Sequence, residues 1–426
     1  MVTWPGGRDR SAHARPAGRS DVGTGYIRAM STSPSSTPSN LRLSRRAATI
    51  LQSEIRNMSL ECDRVGGINL SQGVCDTPVP VEVKQGAFDG VEEGFNIYTR
   101  YDGLDELRHA IAARRQKDYG VAVDPDSQIV VSAGATGALY CTCLALLDRG
   151  DEVVLFEPYY GYHVNTLLSV DAVPTYVPMR PPDWTFSMDD LERAITPRTR
   201  AILVNTPGNP SGKVFTRAEL EQVAEVAARH DLFIFTDEIY EYFVYDGRTH
   251  VTPASLAGVA DRTISISGFS KTFSITGWRI GYSVSSPRWT ETIGHYNDLV
   301  YVCAPAPLQI GVARGLATLG PEYYASLTGE YLAKRDQICD VLRAVGLIPH
   351  VPQGAYYVLA DVSRLPGRSS KERAMHLLEK TGVAAVPGDA FFNEGRGSSL
   401  VRFCYAKSKA DLDEACNRLE RLAHAG

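Results

Sequence analysis

The sequence predicts an α/β fold, with a mostly parallel sheet covered by helices on both faces and a smaller α+β region closing the chain. Three observations carry this prediction. Short apolar runs alternate with helical stretches from Leu41 onward, which is the rhythm of βαβ units. Polar, glycine-bearing turns follow the carboxyl ends of those runs, where open α/β sheets place their sites. Past about residue 287 the rhythm changes to long helical stretches and then short strands.

In chain order, a helix over Ser44–Leu60 is expected to complete the terminal α+β region. Ile129-Val130-Val131 reads as a strand and runs through a Gly-Ala-Thr-Gly turn into a helix over Ala138–Leu147. Glu152–Phe156 is the next strand. Ala201–Val204 and Leu232–Phe235 are strands separated by a helix over Arg217–Arg229, and Thr263–Ser267 is another strand. Helical stretches over Pro287–Thr318 and Pro321–Val345 follow, then strands at Tyr356–Val362 and Leu400–Cys404 and a helix over Ala410–Ala423. The boundaries expected are 1–40 for a disordered extension and 74–320 for a large domain. Residues 41–73 and 321–426 then make a small domain.

Composition bounds the function. The chain has 426 residues, 44% hydrophobic and 22% charged, enough for one large or two unequal domains. A net charge of −5 gives no electrostatic case for nucleic acid or an anionic membrane as partner. The best apolar run, Ala133–Leu147, is too short and too glycine-broken to span a bilayer. Eight scattered cysteines form neither a C-x-x-C pair nor a disulfide framework, so reduced thiols and a cytoplasmic location are expected. Cys141 and Cys143 read as small packed residues. Residues 1–40 are rich in Gly, Ser, Pro and Arg without hydrophobic period. Their acid-poor composition is compatible with a transit peptide, while Met30 offers a second, simpler start.

The chemistry concentrates in S-I-S-G-F-S-K-T-F-S-I-T-G-W-R-I-G-Y, Ser265 to Tyr282. Lys271 sits there among small and apolar residues. Such a lysine can lose its proton, and the neutral amine can form a Schiff base with an aldehyde. Arg279 offers a rigid donor fork suited to phosphate. Together they suggest an aldehyde cofactor with a phosphate tail, pyridoxal 5′-phosphate. No metal site is read.

Other strand ends fit that idea. S-A-G-A-T-G-A (Ser132–Ala138) leads a strand into a helix N-terminus, where backbone N–H groups favour an anion. E-P-Y-Y-G-Y-H (Glu157–His163) supplies rings that could stack on a planar heterocycle; His163 reads as structural before catalytic. N-T-P-G-N-P-S-G-K fixes Asn209 in a proline-bracketed loop. In T-D-E-I-Y, Asp237 ends an apolar strand and needs a partner, which a protonated pyridine nitrogen would supply. Arg402 stands in the apolar strand L-V-R-F-C-Y, where a substrate carboxylate would be a bidentate match.

With Y-T-x-x-x-G, G-A-T-G-A, E-P-Y-Y, N-x-P-x-N-P-x-G, D-E-I-Y, S-K-T-F-x-x-x-G-W-R-x-G and V-R-F in register over residues 41–426, the chain resembles the class I/II aminotransferases of fold type I, the aspartate aminotransferase superfamily. The resemblance implies a large domain with a seven-stranded, mostly parallel sheet between helices and a smaller α+β domain. It implies that Lys271 holds the cofactor covalently and then carries the substrate's α-proton. Asp237 would pair with the pyridine N–H, Tyr240 and Asn209 would bond the phenolic oxygen, and Tyr160 would stack on the ring. The phosphate would be held by backbone at Ala135 and Thr136, by Ser270 and Arg279, and by Tyr98 from the second subunit of a homodimer with shared sites. Arg402, Asn209 and the backbone of Gly73 would bind the α-carboxylate. The substrates would be an L-α-amino acid and a 2-oxo acid.

The sequence departs from the pattern in three places. Many relatives carry a phosphate-binding serine where Gly268 stands. In S-Q-G-V-C-D-T-P-V-P (Ser71–Pro80), Val74 and Cys75 replace the usual aromatic or proline. No second arginine can be assigned to a side-chain carboxylate. Transamination leads, and β- or γ-elimination or replacement on a sulfur amino acid or S-adenosylmethionine is the alternative. A transcriptional regulator would need a DNA-binding module that residues 1–40 are too short and polar to supply.

Overall fold

A computed structural model describes residues 41–50 and 52–424; the extension 1–40, with the disorder, transit-peptide and Met30 expectations that fall on it, lies outside the described residues. The large sheet is built from seven strands: β1 (Ile129–Ala133), β2 (Glu152–Glu157), β3 (Val173–Pro178), β4 (Thr199–Asn205), β5 (Phe233–Asp237), β6 (Thr263–Gly268) and β7 (Ile280–Val284). Their spatial order is β1-β7-β6-β5-β4-β2-β3. Only β7 runs against its neighbours, so the other six point their carboxyl ends to one edge. β2, β6 and β7 are buried at every position. That explains why these strands show no in–out alternation.

Two strands of this large sheet have no counterpart in the sequence reading. β3 carries Pro174 and Pro178, which weaken a strand signal but are tolerated at the sheet edge it occupies. β7 carries Gly281, where a Cβ would stand 2.4 Å from the Ala135 nitrogen. The glycine that blurs the pattern is what lets the strand pass behind the β1 turn.

A second sheet contains β8 (Ile348–His350), β9 (Tyr357–Asp361), β10 (Val386–Pro387) and β11 (Leu400–Cys404), in the antiparallel order β10-β11-β9-β8. Ile68–Asn69 pairs in parallel with Val383–Ala384, tying the N-terminal segment to this region. From Ser44 onward the chain is one compact unit.

Two helix expectations are corrected. The helix expected at Ser44–Leu60 is a 3-10 turn, Arg45–Ala48, followed by helix α1, Glu54–Val65. Ser53 restarts it, its side chain accepting from the Ile55 N–H at 3.3 Å. The stretch Pro287–Thr318 is two helices, Pro287–Tyr301 and Ala306–Thr318. Pro305 lacks an N–H donor and disfavours helix in Ala304 before it, and Val302 turns with φ +63°. Among the described residues, no helix is long and apolar enough to cross a membrane.

Candidate active site

The carboxyl ends of β1, β4, β5 and β6 open on one cavity of about 420 Å³. The chain reaches it from β1 through Gly134, whose φ of +77° turns the strand into helix α2, Gly134–Leu146. A Cβ at Gly134 would stand 2.3 Å from Arg279 Nη2, so only glycine lets the guanidinium lie against this turn. Ala135 and Thr136, in the first turn of α2, line the cavity. Their position at a helix start suits an anion.

Lys271 lies three residues beyond β6 and donates from Nζ to the Gly73 carbonyl at 3.0 Å. Burial lowers its pKa from the ordinary lysine value, which favours the neutral amine relative to an exposed lysine. The segment from Lys271 to Arg279 holds two non-glycine residues at positive φ, Ser274 (+57°) and Arg279 (+60°). Such conformations cost of order 1–3 kcal/mol each and persist where surrounding contacts enforce them. Here Ser274 Oγ hydrogen-bonds Thr77 Oγ1, and Phe269 stacks on Phe273 at 5.8 Å. Arg279 donates to the carbonyls of Thr276 (3.0 Å) and Ala133 (3.2 Å), holding its fork beside the α2 start.

Asp237, the last residue of β5, faces the same cavity. His163 Nε2 lies 2.8 Å from its Oδ2, and the Ile239 N–H donates to Oδ1 at 3.3 Å. His163 therefore positions the carboxylate, a partnership that no local sequence signal reveals. Tyr160 lines the cavity edge-on to His163, at 5.2 Å and 89°. Burial pushes the Tyr160 and Tyr240 hydroxyls well above their ordinary values, keeping both as neutral donors.

Arg402 is fully buried. Nη1 donates to Asn209 Oδ1 at 2.8 Å and Nη2 to the Ser71 carbonyl, while Nε has no partner among the described residues. No carboxylate lies within 4.0 Å of it among the described residues. The Tyr357 ring covers the guanidinium at 4.2 Å and itself lines the cavity, so Arg402 lies behind the wall. The Tyr357 hydroxyl meets that of Tyr240 at 3.0 Å.

Of the residues singled out from sequence, Gly73, Ala135, Thr136, Tyr160, Asn209, Asp237, Tyr240, Ser270, Lys271 and Arg279 all line this cavity. Two do not. Arg402 is one behind, and Tyr98 is 78% exposed and away from the wall of its own chain's cavity. The structure adds Arg56, Tyr357 and Asn205, whose amide accepts the Asn209 N–H at 2.8 Å. The Gly268 departure has a steric reason. A Cβ there would lie 2.9 Å from Gly281 Cα and 3.0 Å from the Ile280 carbonyl, across the β6–β7 ladder.

This arrangement has known counterparts. The family described as Aminotransferase class I and II matches residues 65–419. The chain belongs to that family. It is 37% identical, over 86% of its length and 95% of the relative, to a probable N-succinyldiaminopimelate aminotransferase of Mycobacterium tuberculosis. It is 34% identical to kynurenine–oxoglutarate transaminase 3 of Rattus norvegicus, over 82% and 83% of the two chains. Among solved structures, N-succinyldiaminopimelate aminotransferase of M. tuberculosis superposes with a TM-score of 0.86 at 35% identity, over 89% and 100% of the chains. Aspartate aminotransferase of Thermus thermophilus gives 0.83 at 31%, over 90% and 100%.

The aminotransferase is thus a fold type I enzyme whose family depends on pyridoxal 5′-phosphate and transfers amino groups between amino acids and oxo acids. The elimination or replacement alternative is not favoured, because these relatives are named for amino transfer.

Proposed function

We propose that this cavity binds pyridoxal 5′-phosphate and transfers the amino group of an L-α-amino acid to a 2-oxo acid, with residue roles as the sequence patterns imply. The observation that carries the proposal is the pairing of Lys271, whose pKa burial lowers, with Asp237 in one cavity beside a helix start. The residues fit the cofactor. The α2 start, Ser270 and Arg279 would hold its phosphate, Tyr160 would cover the ring, and Asp237, fixed by His163, would hold the ring N–H. When bound, the cofactor supplies an electron sink for the charge left on the substrate α-carbon.

The chain's own residues do the rest. Lys271 would hold the cofactor and, once released, take the proton from the substrate α-carbon and return it, across the nitrogen the two share, to the cofactor's aldehyde-derived carbon. Asn209 and Tyr240 donate to the phenolic oxygen. Arg402 and the Gly73 backbone orient the α-carboxylate; a buried guanidinium that has only neutral acceptors is poised for an anion. That contact requires the Tyr357 ring to yield. Tyr98 stands exposed beside Ile97, itself 81% exposed. This supports a homodimer in which each subunit lends Tyr98 to the other's phosphate site.

Reduction with borohydride after cofactor loading tests the assignment. One adduct is expected, on Lys271, and none in Lys271→Arg. An adduct on another lysine contradicts it.

A further inference from the structure

A second cavity, of about 600 Å³, opens between the start of the helix Arg217–Arg229 and the segment 246–255, and it shares no wall residue with the active site. That is the size of a small-molecule site. Its wall holds two carboxylates, and both are already engaged. Asp118 accepts from Arg114 at 2.6 Å and from Tyr242 at 2.8 Å, and Asp246 accepts from both arms of Arg335 at 2.6 and 3.0 Å. The arginines of the wall are not engaged in this way. Arg217 has only Glu221, at 3.9 Å, and the Arg248 side chain has no hydrogen bond or ion pair among the described residues. His250 lines the same wall with its side chain 3% exposed. Its Nε2 lies 2.8 Å from Oε2 of Glu238, which is buried behind the wall. Burial opposes the Glu238 charge, but the His250 hydrogen bond and the Arg115 charge hold its pKa at about 2. An ionised carboxylate only accepts, so Nε2 carries the proton and Nδ1 of the neutral ring is an acceptor. Around the ring, Tyr119 meets it edge-on at 5.5 Å and gives its hydroxyl to Glu241, while Arg115 donates to Thr252 at 2.9 Å. None of them serves Nδ1, which is buried without a partner among the described residues. Such an acceptor is costly unless a donor arrives.

We infer that this second cavity binds a phosphate group accompanied by a hydroxyl, as in hydrogen phosphate or a sugar phosphate. The Arg217 and Arg248 forks match phosphate oxygens, and the hydroxyl donates to His250 Nδ1. The site stands apart from the reaction at Lys271 and does not rest on it.

The test is a calorimetric titration of the cofactor-loaded protein with inorganic phosphate, sulfate and glucose 6-phosphate, in mildly alkaline buffer where phosphate keeps a hydroxyl and sulfate has none. Phosphate is expected to bind about tenfold tighter than sulfate, the scale of one hydrogen bond to a buried acceptor. Arg217→Gln and Arg248→Gln should each weaken both ions about tenfold and leave their ratio in place. His250→Gln should instead level the ratio, because the glutamine amide reaches Glu238 as Nε2 does and supplies nothing at Nδ1. Glucose 6-phosphate binding more tightly than phosphate makes the ligand a sugar phosphate; equal or weaker binding makes it hydrogen phosphate. The inference is overturned by no saturable binding of either, by equal affinity for phosphate and sulfate, or by a ratio that survives His250→Gln. It is equally overturned by affinities that ignore Arg248→Gln, which would mean an adventitious ion only. Should His250→Gln fail to fold, the two arginine variants, both at exposed positions, decide the matter.

Discussion

Asp237 and Glu238 are adjacent carboxylates that do opposite work. Asp237 faces the cavity with its side chain 15% exposed and one side-chain partner, His163. Glu238 points away into the protein, fully buried, with both oxygens taken: Thr236 (2.7 Å) and Thr252 (3.1 Å) donate to Oε1, and His250 meets Oε2 at 2.8 Å. Burial opposes its charge, but the His250 hydrogen bond and the Arg115 charge overcome this and hold its pKa at about 2. Glu241 joins the same cluster, accepting from Tyr119 and from Ser267 at 2.7 Å. The buried arginines divide in the same way. Arg108 has Asp126 at 3.1 Å and Asp102 at 3.8 Å, whereas Arg402 has, among the described residues, only an amide and a carbonyl. Where polar groups have answered one another inside the chain, they hold the fold. Where one is left short of its natural partner beside a cavity, it waits for a ligand.

The comparison can be broken by mutation. Lys271→Ala should have the largest effect, lowering amino transfer by roughly 10⁴-fold or more while the melting temperature of the cofactor-free protein stays put. Asp237→Asn should lower kcat by about 10²–10³-fold with a stability change within about 1 kcal/mol. Glu238→Ala should reverse that pattern, costing about 3–5 kcal/mol in denaturant unfolding because it strands Arg115 and His250. If Asp237→Asn unfolds the protein, or Glu238→Ala is stable and inactive, the division of labour is wrong.

Smaller effects sharpen it. Arg402→Ala should weaken amino-acid binding by roughly tenfold to a hundredfold, seen in KM, with bound cofactor retained. Loss of cofactor would make Arg402 structural. Gly268→Ser should cost about 1–3 kcal/mol through crowding against Gly281. The depressed Glu238 pKa carries its own sign: its stabilisation is present above the unfolded carboxyl value and is lost as pH falls from about 4.5 towards 2. Acid unfolding of the wild type should thus show a contribution in that window that Glu238→Gln lacks.

Much of this was legible because the site is built from strand ends. Asn209, Asp237 and Lys271 each follow an apolar run, and a parallel sheet gathers such ends at one edge whatever the loops between them do. The rest depended on distance in the chain. His163 is 74 residues from Asp237, and nothing local marks one as the other's partner. Tyr357 reads as a strand aromatic until β9 is set beside Arg402 on β11. Arg56 looks like any exposed helix cation until α1 is docked at the cavity wall. β3 and β7 escaped because proline and glycine serve edge and close-approach roles that a propensity reading scores against a strand.

The most direct measurement is an absorbance titration of the cofactor-loaded protein with single amino acids and no oxo acid, the release of ammonia followed in parallel. Amino transfer at Lys271 and Asp237 predicts one stoichiometric conversion to the pyridoxamine form, reversal by a 2-oxo acid, and no ammonia. Continuous release of ammonia without an acceptor, with the starting spectrum retained, would contradict it.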